Sequence, residues 1–376
     1  MNQTLSFITN YCPHYRRGFF ERLDERIGDR FDCEFLFTGI KEKWQSYGDF
    51  SYRALGEIKL HENYSISPSL FYQLWQKNPD VIVAGPIEEF AGQAPYLYAK
   101  ATKTPFVLWT GEWRLPQTTL RTTTFPLIKR IYHGADSVVV YGPHIKEYVT
   151  DLGVPAEKIH IGWNTTDIDR FTHPDPDAEE SVRASLGIPQ DAPVALFVGR
   201  HVKEKGLGYL LDAFRQIVSD VEPTPYLVLV GDGNRHDVLR EQAADLETVL
   251  FPGYVDNDRL PPYYGLADVF VLPSILTEDF REPWGLVINE AMGSGTPVIA
   301  SSEVGAAAAG VVRDCENGYI VPERNTGVLA DRLKRLLSNP AKAEQMGQAA
   351  EEGIKEYSFD KMVDGFEDAI HYSLQS

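Results

Sequence analysis

The chain has 376 residues, too many for one ordinary hydrophobic core, and 43% apolar with 24% charged residues is the balance of a folded protein without long disordered tails. A formal net charge of −18 disfavours non-specific attraction to nucleic acid and to anionic lipid, both of which reward a basic face. Cys12, Cys33 and Cys315 form no C-x-x-C arrangement and suggest neither a disulfide framework nor a zinc site. No apolar run reaches the roughly 18 residues of a membrane helix, and no basic leader opens the chain, so a cytoplasmic location is expected.

In chain order, short apolar runs at Leu5 to Ile8, Cys33 to Phe37, Val81 to Ala84, Phe106 to Trp109 and Ser137 to Tyr141 alternate with helical pattern or loop. This is the rhythm of a parallel sheet with crossover helices. The first run is followed by Asn10 to Gly18, a loop opening a helix, and the fourth by a loop carrying Glu112 and Arg114. The stretch from Thr172 to Glu180 is rich in proline and acid without periodicity, and reads as an exposed linker holding a hinge. The rhythm then restarts at Val194 to Val198, Tyr226 to Val230, Thr248 to Phe251, Val269 to Leu272 and Pro297 to Ala300, so a second α/β unit is expected from near residue 190. Met362, Val363, Phe366, Ala369, Ile370 and Leu374 fall at helical spacing in a final amphipathic segment whose apolar face needs a partner.

Two open α/β units are expected to bind ligands at the carboxyl ends of their strands, in a cleft. The candidate motifs do follow strands. Val198 to Gly206 is a strand leading through a glycine-flanked loop with Arg200 and Lys205 to a helix start; it suits a diphosphate, or is an ordinary solvated basic loop. Val230-Gly-Asp-Gly233 is weak as a dinucleotide fingerprint and serves equally as a turn. In Arg281 to Ser301, Pro283 suits the start of a helix, which puts Glu282 in the loop before it and Glu290 about two turns inside. First-turn N–H groups between them would grip phosphate while the carboxylates accept from hydroxyls. Singly, each glutamate has a bland explanation, a helix-dipole contact or a solvated helical position.

Taken in order, Asn164 to Phe171, Leu186 to Pro189, Phe197 to Arg200 with Lys205 and Gly206, Gly231 to Gly233, Phe251 to Val255, Ala267 to Ser274, Glu282 to Glu290 and Asn317 to Pro322 resemble a family-4 glycosyltransferase with the GT-B fold. The resemblance implies two tandem Rossmann-like domains facing a central cleft. Residues 1–172 would form the acceptor domain, 173–355 the donor domain, and 356–376 a helix crossing back onto the first. It implies retaining transfer of a sugar from a nucleotide-diphosphate donor, UDP- or GDP-linked, to a hydroxyl of a glycan or lipid-linked acceptor, without metal or cofactor.

By the same resemblance Glu282 contacts the donor sugar and Glu290 the ribose hydroxyls, while Arg200 and Lys205 neutralise the departing diphosphate. Gly199, Gly231, Trp284, Gly285 and Leu286 would lie against the donor, and Tyr254 and Val255 where the base is held. Trp284 stands where phenylalanine is commoner, and Thr165 where glycine is frequent. No second acid is assignable as a glycosidase nucleophile. In the first half His14, Arg16 and Arg17 would meet a phosphate on the acceptor, or are surface residues at a helix start. Glu112 would orient an acceptor hydroxyl or merely pair with Arg114. No nucleic-acid partner is expected from the acidic balance. Transient docking on a membrane is compatible with lipid-linked acceptors, though the acidic balance does not support it without a local basic patch. The competing readings are a sugar-nucleotide epimerase or phosphorylase of the same fold, and a non-catalytic sugar-nucleotide binder.

Overall fold

The computed structural model describes residues 2–39, 48–61, 64–114 and 119–375. These residues fall into two units, Met1–Thr166 with Tyr357–Ser376, and Asp167–Glu356.

In the first unit the apolar runs become strands: β1 (Gln3–Thr9), β2 (Phe31–Phe37), β3 (Tyr52–Ala54), β4 (Ile58–His61), β5 (Tyr64–Ile66), β6 (Val81–Ala84), β7 (Phe106–Thr110), β8 (Ser137–Val140) and β9 (Ile159–Ile161). Seven form a parallel sheet in the order β3-β2-β1-β6-β7-β8-β9, and β4 and β5 pair antiparallel in a separate two-stranded sheet. Both faces of the sheet are covered, which is why its strands read as continuous apolar runs. Alternate residues serve the two faces: Phe7, Phe35, Val83, Val107 and Trp109 pack into one core, Ile8, Leu36, Ile82, Leu108 and Val138 into the other. The strand order turns at β1, with β2 on one side and β6 on the other, and ligands collect at such switch points.

The amphipathic C-terminal segment is the helix Phe359–Ser373, and it belongs to this first unit. Ser358 caps it by accepting from the Lys361 amide at 3.3 Å. Phe366 packs among Phe7, Phe19 and Trp109, with ring centroids 5.7, 4.8 and 5.5 Å away. Gly365 lies so close to the chain at Ile161 that a Cβ there would stand 2.1 Å from its carbonyl oxygen, so only glycine lets this helix settle on β9.

The second unit holds β10 (Val194–Val198), β11 (Tyr226–Val230), β12 (Val249–Gly253), β13 (Val269–Leu272), β14 (Val298–Ser301) and β15 (Gly318–Val321) in one parallel sheet, ordered β12-β11-β10-β13-β14-β15. Its switch point is β10, flanked by β11 and β13. Helices Leu207–Ile217 and Thr326–Leu337 pack against each other beside this sheet.

The expected linker is half helix. Asp175 accepts from the Asp177 amide at 3.1 Å, Pro176 takes the first helical position, and the helix runs Pro176–Ser185. The proline and acids are the start signals of a helix: proline fits a first-turn position that needs no N–H, and acids favour the helix N-terminus. Among the described residues no helix is long and apolar enough to cross a membrane.

Candidate active site

The charged motifs of the second unit converge at the carboxyl ends of β10 and β13. β10 ends at Val198 and runs into Gly199, and a short 3-10 turn, Lys203–Lys205, leads through Gly206 into the helix Leu207–Ile217. Gly206 has φ 67°, and a Cβ on it would stand 2.1 Å from the Pro273 carbonyl oxygen, so the turn presses directly on the chain after β13. That close approach delivers Lys205. Its Nζ makes an ion pair with Glu282 Oε2, and the buried Ser274 hydroxyl donates to the same oxygen at 3.4 Å. Lys205 also stands 6.0 Å over the Phe280 ring.

Glu282 is buried and its backbone is extended, bridging to Val304, while the Gly305 amide donates to its carbonyl at 3.1 Å. The helix does not begin at Pro283. Gly285, at φ 89°, breaks the chain direction, and the helix is Leu286–Gly293. Glu290 therefore lies one turn inside, not two. Trp284 is buried, and its indole N–H donates to Asn289 Oδ1 at 2.9 Å, which pins the loop between the two glutamates onto the helix that follows.

Glu290 is buried and takes a 2.6 Å hydrogen bond from the Tyr264 hydroxyl on Oε2. Burial pushes its carboxyl up to about 7, against the lowering effects of the Tyr264 bond and the Arg170 charge. Gly231, at φ 128°, donates its N–H to the Gly253 carbonyl, and a Cβ on it would meet the Gly199 carbonyl oxygen at 1.9 Å. The loops after β10, β11 and β12 are thus in contact, with Val255 half-buried and Tyr254 exposed beside them. Arg200 is exposed, 3.8 Å from Glu204.

Three features had no signal in the sequence pattern. Tyr264 is far from Glu290 along the chain and meets it only through folding. Asn289 sits inside an apolar helical run, where it reads as a flaw. His201, fully buried, stands Nδ1 to Nδ1 3.0 Å from His236 with the rings stacked, so the imidazole of the loop after β10 meets that at the start of the helix His236–Gln242. Burial, then the His236 charge, lowers His201 to about 4. Ser274 did carry a signal, since it follows a strand directly.

In the first unit the acceptor candidates separate. Arg16 is buried, whereas Arg17 is exposed and paired with Glu21 at 2.8 Å. Consecutive helical residues point about 100° apart, so the two arginines do not grip one ligand together. His14 is half-buried at the helix start, its ring 5.4 Å from that of Tyr15. Glu112 accepts from the Arg114 amide at 3.0 Å and lies 3.8 Å from its Nε, which is the pairing alternative.

The sequence profile of the family "Glycosyl transferases group 1" matches residues 178–353. The second unit belongs to the glycosyl transferases group 1 family. Arg200, Lys205, Glu282 and Glu290 all lie inside this group 1 match; His14, Arg16, Arg17 and Glu112 lie outside it. The chain is 30% identical over 246 residues to the lipopolysaccharide core biosynthesis glycosyltransferase LpsE of Rhizobium meliloti strain 1021, covering 64% of this chain and 66% of that one. It is 35% identical over 185 residues to the phosphatidyl-myo-inositol mannosyltransferase of Mycobacterium leprae strain TN, covering 49% and 47%. The matches thus span about half to two thirds of these relatives. The fold is similar to that of Anabaena Alr3699/HepE, solved in complex with UDP and glucose, at TM-score 0.77 and 18% identity over 99% of this chain and 100% of that one. WaaG, a glycosyltransferase involved in lipopolysaccharide biosynthesis, aligns at TM-score 0.73 and 16% identity over 98% and 99%. Both likenesses show the two parallel-sheet units of the GT-B fold.

Proposed function

We propose that this chain is a retaining glycosyltransferase that moves a sugar from a UDP- or GDP-linked donor to a hydroxyl of a glycan or lipid-linked saccharide. The observation that carries the reading is the Lys205–Glu282 ion pair at the loop before a helix that holds a second buried carboxyl, Glu290, one turn in. The names of LpsE and of the mannosyltransferase relative, and the UDP and glucose held by HepE, support the substrate class.

In this reading the donor diphosphate lies at the start of the helix Leu286–Gly293, whose first-turn N–H groups and dipole favour negative charge. Lys205 and Arg200 take up the charge that develops as the bond from the anomeric carbon to the phosphate oxygen breaks and the electron pair leaves with the diphosphate. The acceptor oxygen bonds to the same carbon from the same face, and its proton passes to the departing phosphate oxygen. Glu282 positions the donor sugar, Glu290 accepts from the ribose hydroxyls, and Tyr254 and Val255 border the base. Gly199, Gly231 and Gly285 let the backbone approach the donor. A lipid-linked acceptor would draw the chain transiently from the cytoplasm to a membrane surface.

A thermal-shift panel of UDP- and GDP-sugars tests the donor assignment. One donor should stabilise the wild type, with the shift reduced in Glu290→Gln. Donor conversion without any acceptor would point to an epimerase, and dependence on free phosphate to a phosphorylase. Stabilisation by none of the panel would sink the reading.

A further inference from the structure

We propose that the first unit carries an anion subsite built on Arg16, and that the acceptor bears a carboxylate or phosphate monoester which this subsite holds. The inference rests on the glycosyltransferase reading for the word acceptor, but its geometry is independent of the second unit.

Arg16 is only 5% exposed. It forms part of the wall of a pocket of about 130 Å³ together with Asn10, Tyr11, Tyr15, Trp109 and Tyr141, at the carboxyl ends of β1, β7 and β8 where the sheet order turns. Every group holding the guanidinium is neutral. It donates to Asn164 Oδ1 and to the Tyr141 hydroxyl, lies 3.6 Å from Met362 Sδ, and stands 5.2, 5.7 and 5.5 Å over the rings of Trp109, Tyr141 and Tyr15. Among the described residues it forms no ion pair, whereas Arg17 has Glu21 and Arg26 has Asp364.

A buried charge that faces only neutral partners is costly, and proteins tolerate it where a ligand supplies the counter-charge. Neutral aromatic and amide partners fix the planar fork of Arg16 without cancelling its charge, which suits two parallel bonds to a carboxylate or phosphate. The helix His14–Ile27 opens on the same pocket with no acid in its first turn and no side-chain cap, so its dipole adds to the attraction. Glu89 accepts from the Nδ2 of the pocket residue Asn10 at 3.1 Å. Glu88 also influences Tyr141, and both set a limit on how strongly a free anion binds.

The test titrates inorganic phosphate and, separately, acetate into the full chain at ionic strength held constant with chloride, reading tryptophan emission. A saturable change is expected with at least one anion, and it should vanish in Trp109→Phe, whose indole lies under the guanidinium. Arg16→Lys keeps the charge but loses the fork, and should weaken the anion by about tenfold, the scale of one charge-assisted hydrogen bond. Arg16→Gln should lose the response; should it fail to fold, the lysine and phenylalanine variants still decide. A preference for phosphate assigns a phosphate monoester, one for acetate a carboxylate. No saturable response, or one unchanged in Trp109→Phe or Arg16→Lys, overturns the subsite. Nucleotide-sugar stabilisation of the same protein is read separately: its failure with the anion response intact removes the donor reading alone, and the reverse outcome removes the subsite alone.

Discussion

Glu290 is a carboxyl placed where ionisation is expensive. Its proton binds more tightly in the folded chain, up to about 7, than in the unfolded one, so folding stability falls as pH rises from about 4.5 to about 7 and the loss is complete above. Glu290→Gln removes that dependence. Melting temperatures of the two proteins should therefore diverge between pH 5 and 7, the variant ending more stable by up to about 3 kcal/mol, the scale of such a shift. Parallel curves would show that Glu290 is not held in this way. If ribose hydroxyls donate to it, they favour the ionised form, and nucleotide affinity should rise through pH 7 and then flatten. The Lys205–Glu282 pair makes a different prediction. Lys205→Met strands a buried carboxylate and should cost about 3 kcal/mol, while the double variant with Glu282→Gln recovers most of it in urea unfolding, an interaction two independent sites would not show. A loop-to-helix junction near these two glutamates was legible in Pro283 and the apolar run that follows, while the roles expected of them came only from the family resemblance. Tyr264 and the burial of Arg16 were not, since each depends on a neighbour distant in sequence.

The strands were legible for a physical reason: a parallel sheet covered on both faces needs unbroken apolar runs, and each run expected in the second unit lies at a strand, from β10 to β14. The short elements β3, β4, β5, β9 and β15 were missed. The helix start was misplaced because Pro283 is a permissive signal, while the positive φ of Gly285 is decided by packing: a Cβ there would meet Leu272 Cδ2 at 2.6 Å. The same reasoning separates two glycines in the loops after β11 and β12. Gly231→Ala puts a methyl 1.9 Å from the Gly199 carbonyl and should collapse nucleotide binding together with stability. Gly253, at φ 81° with nothing within 4 Å of its Cβ position, should tolerate alanine at a cost of about 1 kcal/mol. Equal losses in a melting experiment would contradict this.

At the scale of the molecule, the chain closes its first unit with its last helix, so the two units are not simply the two halves of the sequence. The amphipathic spacing of that helix showed that it needed a partner but not which one. Phe366→Ala removes a ring from the Phe7, Phe19 and Trp109 cluster and should cost about 3–5 kcal/mol. In calorimetry that loss should fall on the transition of the first unit and leave the nucleotide-sugar-stabilised transition in place. The proposed donor site, whose residues lie within the second unit, stands or falls on chemistry. The most direct measurement is release of nucleoside diphosphate from the stabilising nucleotide sugar, with water or a saccharide as acceptor, by wild type and by Glu282→Gln of intact fold. The account predicts turnover by the wild type and a drop of about 100-fold or more in the variant, the scale of losing one group that acts on the reacting sugar. Equal rates for the two proteins, or no turnover of any UDP- or GDP-sugar by the wild type, would contradict it.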